Sequence, residues 1–426
     1  MKVWLIQRAE PTPLDNDGDQ RILRTGLMAR FFSEAGHEVT WFTSAFDHYN
    51  RTQRYDRTTR SEVSSNYIIQ FLRSRGYSKN ISFSRLLDEH CLAKEFGAII
   101  PQLPKPDLII SSLPSVTMAS KAASFAHNNG IPHVSDIRDL WPDVFLDIAP
   151  NAFHGLMRPA LQVMRRSIGE IVDLSAVVTG ITDQYVDWAM TYGTRTRSER
   201  DQPLMMAYMP SEISASSDFH STGHTSRLNV SSEKLNAVFV GAVGPMMNFD
   251  PIVETAHIAH GRKLPIHFWM CGQGAALARL RERCSGLPNI TWPGWIGAND
   301  IGYLLRNCEI GLLPYADLET FRNSIPNKFG EYLSGDLILA LNLEDSAMAR
   351  QLETTGSGFI YGDDPIKLTD WLERMAYDPE SRERMKKSAA NLYREKFHAP
   401  TVFSDFVDRM EALVDSFDPN RNVIYQ

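Results

Sequence analysis

An alternation of apolar strand runs with helical patterns runs through this chain, and it constrains the fold more than any single motif. In the first half, buried-strand patterns are predicted at residues 3–6, 37–43, 67–72, 107–112, 132–136 and 175–179. Helical patterns lie between most of them, including one at 20–35 with an apolar stripe at Ile22, Leu23, Leu27, Phe31 and Phe32. A strand-then-helix succession favours a parallel sheet that is covered on both faces.

The alternation stops and then restarts, which predicts two domains. Residues 211–235 are rich in Ser and Thr and lack periodicity, and strand patterns resume at 237–241, 266–272, 289–292, 309–313, 337–341 and 358–361. A chain of 426 residues is also too long for one typical core. We therefore expect an α/β protein with two doubly wound Rossmann-like domains and a ligand cleft between them. The expected boundaries are 1–205, a linker at 206–235, and 236–396, with a helix at about 400–420 packing back onto the first domain.

Composition excludes several classes of protein. Hydrophobic residues make up 43% and charged residues 22%, which is ordinary for a globular chain. No apolar run approaches the length of a membrane span, and the four widely spaced cysteines favour unpaired thiols in a reducing compartment. The expected location is therefore the cytoplasm, with no nucleic-acid partner.

The net charge of −7 is unevenly spread, because residues 51–85 form a locally basic region. Such a region suits a polyanionic partner or the anionic inner face of the plasma membrane. An ordinary solvated face is the alternative interpretation. The cations of this region are Arg51, Arg54, Arg57, Arg60, Arg73, Arg75, Lys79 and Arg85.

Glycine-bearing loops follow three strands of the second domain. Gly244, Gly272 and Gly274 permit close approach of the backbone to a phosphate, and Trp295 follows the next strand. The pair Gly272 and Gly274 does not continue to a third glycine at the Rossmann spacing, which disfavours a dinucleotide-dependent oxidoreductase.

The segment 324–335 lies between two strand patterns and predicts a polar loop at 315–323 followed by a helix that opens on Pro326. Free N–H groups at residues 325–327 and the cation of Lys328 form an anion site that suits a diphosphate. Glu331 could accept hydrogen bonds from a sugar diol. An ordinary capped helix with a solvated Lys and Glu is the alternative.

Two loops of the first domain carry candidate catalytic groups. His48 could be a general base that Asp47 orients, or this pair could serve in capping or packing. Asp139 follows a strand that should aim it at the cleft. Arg138 could contact a ligand or pair with Asp136 or Asp139.

With these residues assembled, the chain resembles a retaining glycosyltransferase of the GT-B fold, in the family 4 group. The resemblance covers essentially the whole chain. Within the family, the chain resembles the subgroup that builds bacterial surface polysaccharides. It rests on residues 36–40 (GHEVT), 136–143 (DIRDLWPD), 271–274 (CGQG) and 324–335 (SIPNKFGEYLSG).

The resemblance implies transfer of a sugar from a nucleoside diphosphate sugar to a glycan or lipid-linked glycan, with retention and without a metal or cofactor. Catalysis would fall to Asp139, Lys328 or His48. The donor-binding residues would be Gly244, Gly272, Gly274, Trp295, Asn323, Ile325, Pro326, Asn327, Lys328 and Glu331. The acceptor-binding residues would be Asp17, Gly18, Asp19, Asp47, His48, Arg138 and Asp139.

The sequence departs from the family pattern at two places. Of the paired glutamates that hold the donor, the second matches Glu331 and the first falls on Asn323. The loop 241–250 contains neither of the basic residues that the family keeps there. A nucleotide-sugar epimerase of the same fold and a non-catalytic glycan- or nucleotide-binding subunit are therefore the alternatives.

Overall fold

The computed structural model describes residues 1–15, 22–78, 82–148, 151–209 and 228–419. The chain divides into two compact units, one of residues 1–205 with the chain from Val402 onward, and one of residues 206–401. Most of the linker predicted at 206–235 lies outside the described residues, and so do Asp17, Gly18, Asp19 and Lys79. Within the described ranges, no helix is both long and apolar enough to cross a membrane.

The first unit is built on a seven-stranded sheet, with a small two-stranded ribbon (β3 and β4) beside it. In the seven-stranded sheet only β5 is antiparallel to its neighbour. The strands are β1 (Lys2–Ile6), β2 (Glu38–Ser44), β3 (Phe46–Asp47), β4 (Thr52–Gln53), β5 (Thr59–Ser64), β6 (Tyr67–Leu72), β7 (Leu108–Leu113), β8 (His133–Ile137) and β9 (Val177–Gly180).

The strand order of this sheet is β5-β6-β2-β1-β7-β8-β9, which is a doubly wound arrangement. The chain winds outward from β1 through β2 to β6, and then returns to β7 and winds the other way to β9. The switch point therefore lies between β1 and β7. Both strands are buried along nearly their whole length, which explains why they appear in the sequence as continuous apolar runs.

Six α-helices of the first unit connect these strands: α1 (Arg24–Glu34), α2 (Phe83–Ile99), α3 (Val116–Asn128), α4 (Val144–Ile148), α5 (Asn151–Leu174) and α6 (Asp183–Met190). A 3₁₀ turn, Ile100–Gln102, follows α2. Leu23 is the N-cap of α1 and has an extended backbone, so the helix begins later than the pattern predicts. Ile22 and Leu23 thus precede the helix, whereas Leu27 and Phe32 are buried on it.

The second unit holds a six-stranded sheet in which every pair is parallel: β10 (Leu235–Val240), β11 (Ile266–Cys271), β12 (Ile290–Gly294), β13 (Ile310–Leu313), β14 (Ile338–Leu341) and β15 (Gly358–Ile360). The order is β12-β11-β10-β13-β14-β15. This unit is doubly wound too, and its switch point lies between β10 and β13.

The helices that follow along the chain are α7 (Asp250–Gly261), α8 (Leu277–Arg283), α9 (Ala298–Asn307), α10 (Glu319–Asn323), α11 (Asn327–Leu333), α12 (Ala347–Thr355), α13 (Pro365–Tyr377), α14 (Pro379–Leu392) and α15 (Ala399–Ser416). A π-helical turn, Tyr393–Phe397, joins the last two. The chain therefore consists of two Rossmann-like domains.

The region around Pro326 differs from the sequence prediction in two details. The expected polar loop 315–323 contains the short helix α10. Pro326 is the N-cap of α11, with φ −66° and ψ 159°, so the helix opens one residue later than predicted. The fixed φ of proline fits either position, and the extended ψ decides between them.

The last helix completes the core of the first unit. Phe403 stacks on Phe31 with ring centroids 5.7 Å apart, and Phe406 meets Phe32 edge-on at 6.2 Å. Phe406 is only 1% exposed. Because these aromatic contacts bury large apolar surfaces, residues far apart in sequence form one core here.

Candidate functional site

One buried tyrosine connects helix α11 to the switch point of the second sheet. The hydroxyl of Tyr332 accepts a hydrogen bond of 2.7 Å from the backbone N–H of Val240, the last residue of β10. Its ring packs against β13 at Gly311, where an added Cβ would lie 2.5 Å from the ring. These two contacts set the position of α11 over the carboxyl ends of β10 and β13.

Lys328 lies one helical turn before Tyr332, on the same face of α11. Its side chain therefore extends over the residue that follows Val240, which is Gly241. A Cβ on Gly241 would lie 2.4 Å from Cε and 2.5 Å from Nζ of Lys328, and Gly241 has φ +154°. The ammonium also lies 5.5 Å from the centroid of the Phe239 ring. A side chain at 241 would therefore push the end of Lys328 aside, and the positive φ of this residue itself favours glycine.

Burial lowers the pKa of Lys328, and the nearby carboxylate of Glu331 partly opposes that effect. A half-buried ammonium that has lost hydration gains from an anionic partner more than a solvated lysine does. The N-cap Pro326 supplies no side-chain hydrogen bond to the first N–H groups of α11. The start of this helix and Lys328 together form a place where a negative group would be stabilised.

Contacts within the fold explain why residues 272 and 274 are glycines. A Cβ on Gly272 would lie 1.7 Å from the carbonyl oxygen of Gly241, and a Cβ on Gly274 would lie 2.1 Å from that of Val243. Backbone hydrogen bonds of 2.9 Å join the same loops, from Gly241 to Cys271 and from Val243 to Gln273. These glycines let the loops after β10 and β11 touch. Gly244 differs, since a Cβ there would meet no atom within 4 Å.

The remaining donor candidates are distributed around this edge of the sheet. Trp295 is 71% exposed and follows β12, which β11 separates from β10. Asn323 ends α10 and lines an open depression with Arg322 and Asp317. Ile325 is 1% exposed, so its side chain belongs to the core. The structure brings Pro326, Asn327, Lys328 and Glu331 together at α11 and leaves Trp295 on a different strand.

In the first unit, Arg138 belongs to a buried ion-pair network. Its Nε donates to Asp136 at 2.6 Å, and its NH1 donates to Glu10 and, at 2.8 Å, to Thr25. Arg24 pairs with the second oxygen of Asp136 at 2.7 Å. Pairing with Asp136 was one of the two sequence interpretations, but the contributions of Glu10 and Arg24 were missed. Sequence offers little to reveal them, because they lie 128 and 112 residues away from their partners.

Asp139 follows β8 directly and is half-buried. Burial raises the pKa of its carboxyl, although the Leu140 N–H, the Trp141 side chain and Arg85 favour the charged form. The hydrogen bond from Leu140 is 2.9 Å long. A carboxyl with a raised pKa at the carboxyl edge of a parallel sheet is suited to accept a proton.

The expectation that Asp47 orients His48 was wrong. Asp47 Oδ1 instead accepts the backbone N–H groups of Tyr49 at 2.8 Å and Asn50 at 3.0 Å, so it builds the turn. His48 Nδ1 lies 2.6 Å from the hydroxyl of Tyr77. Burial, followed by the charges of three nearby arginines, lowers the pKa of His48 to about 4. His48 is therefore neutral at physiological pH.

The basic region 51–85 does not form one exposed face. Arg54 is buried and forms ion pairs with Asp15 and Asp47, whereas Arg51 and Arg85 lie against Tyr77. The described cations that remain on the surface are Arg57, Arg60, Arg73 and Arg75. In the parts of the chain that the structure describes, no cluster of His, Cys, Asp and Glu could hold a metal ion.

Asp136→Asn should destabilise the protein by about 3–5 kcal/mol, because it leaves two buried guanidinium groups without their shared carboxylate. Burial opposes ionisation of Asp136, but Arg138 and Arg24 outweigh it and lower its pKa to about 2. The stabilisation is complete above the unfolded-state pKa near 3.8 and is lost as the pH falls towards 2. Denaturation by urea at pH 7 measures the difference.

The control is Asp187→Asn, which removes an exposed partner of Arg197 and should cost less than about 1 kcal/mol. Equal effects of the two substitutions would contradict the structural role given to the Asp136 network.

Comparison with known proteins shows the fold. No protein-family model matches the chain, and no curated protein matches its sequence. Among solved structures, sucrose-phosphate synthase from Thermosynechococcus elongatus matches with a TM-score of 0.68 at 12% identity, over 97% of this chain and 99% of its own. Anabaena Alr3699/HepE in complex with UDP-glucose matches with 0.62 at 11%, over 97% and 100%. A protein from Listeria monocytogenes assigned as a UDP-N-acetylglucosamine 2-epimerase matches with 0.58 at 11%, over 98% of each chain. The two Rossmann-like domains are thus those of the GT-B fold.

Proposed function

We propose that this protein is a glycosyltransferase that takes a sugar from a nucleoside diphosphate sugar. The observation that carries the proposal is the position of Lys328, which lies over Gly241 at the switch point of the second sheet. Ligands of doubly wound sheets bind at that point. One of the similar structures is named as a sucrose-phosphate synthase, and another as a complex with UDP-glucose. Both names support a nucleoside diphosphate sugar as the donor.

Lys328 also accounts for the departure in loop 241–250. That loop has no Lys or Arg, but the ammonium of Lys328 stands directly over its first residue, Gly241. The diphosphate would bind to this ammonium and to the first N–H groups of α11. Glu331, three residues further along α11, would accept hydrogen bonds from the ribose diol.

The reaction transfers one glycosyl group. A hydroxyl oxygen of the acceptor forms a bond to the anomeric carbon while the bond from that carbon to the diphosphate oxygen breaks. The departing nucleoside diphosphate takes the electron pair, and Lys328 stabilises the added negative charge. Asp139 would take the proton of the acceptor hydroxyl, because burial raises the pKa of its carboxyl, whereas burial and nearby arginines lower the pKa of His48.

We further propose that the anomeric configuration is retained and that the protein belongs to the family 4 group. The acceptor would be a glycan or lipid-linked glycan of a surface polysaccharide. Asn323, which stands where a glutamate is usual, would contact donor sugar hydroxyls through its amide. Association with an anionic membrane would rest on the exposed Arg57, Arg60, Arg73 and Arg75. Vesicle co-sedimentation that does not change when these four are neutralised would contradict that association.

Lys328→Ala should weaken the binding of UDP and lower turnover roughly 10²–10³-fold, because it removes the cation that stabilises the leaving diphosphate. Calorimetric titration with UDP and GDP measures the first effect, and transfer assays with a panel of nucleotide sugars measure the second.

The matched control is Lys367→Ala. Lys367 lies on α13 and also contacts an aromatic ring, 5.8 Å from the centroid of Phe359, but it pairs with the exposed Glu344. This variant should bind UDP as the wild type does. Wild-type UDP affinity in Lys328→Ala would remove the role given to Lys328.

The same protein and nucleotide sugars also test two alternative functions. Conversion of a nucleotide sugar to its epimer by the protein without an acceptor would favour an epimerase. Failure of the wild type to bind any nucleoside diphosphate would favour a non-catalytic binding subunit.

A further inference from the structure

Three arginines from separate parts of the first unit converge on the ring of Tyr77. The guanidinium carbons of Arg8, Arg51 and Arg85 lie 5.5, 5.1 and 5.7 Å from the ring centroid. Arg8 follows β1, Arg51 lies in the turn between β3 and β4, and Arg85 is in the first turn of α2. We call these three residues with Tyr77 the arginine cluster.

The arginine cluster lies where a doubly wound sheet binds ligands. Arg8 follows the carboxyl end of β1, which borders the switch point, and Tyr77 follows the carboxyl end of β6. The β3–β4 ribbon that carries Arg51 follows β2, which lies between β1 and β6. The cluster is thus placed at the carboxyl ends of three adjacent parallel strands.

Two buried acids of α2 pair with the cluster. Arg8 lies 3.4 Å from Asp88 and 3.1 Å from Glu89, and Arg85 lies 3.8 Å from Glu89. Asp88 is also committed to the turn that carries Tyr77, because its Oδ1 accepts the N–H of Gly76 at 2.9 Å. Asp88 therefore fixes both Arg8 and the turn before Tyr77 in place.

The pKa shifts of neighbouring groups indicate a positive electrostatic field at the cluster. After burial, the charges of Arg51, Arg85 and Arg8 are the causes that lower the pKa of His48, which contacts Tyr77. Burial and the charges of Arg8 and Arg51 likewise lower the pKa of Arg85. Like charges held together at a partly buried position are typical of a preorganised anion site.

The backbone of Arg51 supports the same conclusion. Arg51 has φ +58°, in the left-handed region that residues other than glycine seldom occupy. Its cation therefore reaches the cluster from a conformation that costs free energy, as is common at binding sites.

We propose that the arginine cluster binds a phosphate or diphosphate group of the acceptor, borne by a sugar or by a lipid carrier. The planar guanidinium fork matches phosphate oxygens in two-point contacts. The assignment to the acceptor rests on the proposed function. Arg85 also lies 4.5 Å from the ring centroid of Trp141, two residues after Asp139, so the phosphate would bind near the proposed base.

The test uses the double variant Arg51→Gly with Arg85→Gln. Glycine suits the left-handed backbone at position 51, and glutamine keeps a polar side chain on α2. Arg8 is left in place because it is 5% exposed and pairs with buried acids. The control is Arg57→Gln with Arg60→Gln, two exposed arginines of the same basic region. Both double variants should retain the thermal midpoint of the parent.

Binding is measured in the Lys328→Ala background, so that the proposed donor site does not contribute. Calorimetry with inorganic phosphate and with pyrophosphate should show binding in the parent and the control, and at least tenfold weaker binding in Arg51→Gly/Arg85→Gln. In the parent, pyrophosphate should also raise the pKa of His48, followed by NMR and assigned with His48→Gln. The bound anion offsets the field of the arginines, so this shift reports on the cluster itself.

A second arm distinguishes the source of the phosphate. Co-sedimentation with phosphatidic acid vesicles, compared with phosphatidylcholine vesicles, tests a lipid-borne group. Binding that depends on Arg51 and Arg85 supports the site in either arm, as a soluble phosphate in the first and a lipid phosphate in the second. No binding in either arm, or equal binding by the two double variants, would overturn it. Because UDP is not used, either result can be read whether or not the donor proposal holds.

Discussion

The hydrogen bond between the Val240 N–H and the Tyr332 hydroxyl sets the position of the proposed diphosphate site in the second unit. It holds α11 over the end of β10, and the helix period then places Lys328, four residues earlier, over Gly241. The positions of Gly241, Lys328 and Tyr332 therefore depend on one another. A side chain at 241 would move the ammonium, and without the tyrosine the helix would lose its contact with the strand.

The two units share a winding but place their cations differently. Each sheet runs outward from its first strand and then reverses, so each has a switch point at its carboxyl edge. The second unit has one half-buried lysine there, which suits the diphosphate of the proposed donor. The first unit gathers three arginines beside its own switch point and separately uses Arg138 and Arg24 to hold Asp136. The arginines of the first unit thus divide between the proposed phosphate site and the structural network of Asp136.

Much of the fold could be predicted from sequence because the central strands are buried on both faces. The pattern 67–72 corresponds to β6, and the other predicted strands differ from the observed ones by a residue or two at either end. Periodicity could not find β5, which alternates between exposed and partly buried residues on the sheet edge. A helix at about 400–420 was expected to pack on the first domain, but periodicity did not identify Phe403 and Phe406 as the residues that contact Phe31 and Phe32.

Side-chain partners were harder to predict than elements. His48 stands next to Asp47 in sequence, yet the turn uses both oxygens of that carboxylate and the imidazole contacts Tyr77 instead. Arg138 had two neighbouring acids to choose from, and distant residues completed its network. The absence of a basic residue from loop 241–250 was visible in sequence, but the close approach of Lys328 to Gly241 was not.

The most direct test of this account is a double-mutant cycle between positions 241 and 328, read out as UDP affinity. Gly241→Ala should weaken UDP binding because the new Cβ displaces the ammonium. Gly286→Ala, which also has a positive φ of +82° but whose Cβ meets no atom within 4 Å, controls for backbone strain and should not. The account predicts that Gly241→Ala with Lys328→Ala binds UDP no more weakly than Lys328→Ala alone. Fully additive effects, or wild-type affinity in Gly241→Ala, would contradict it.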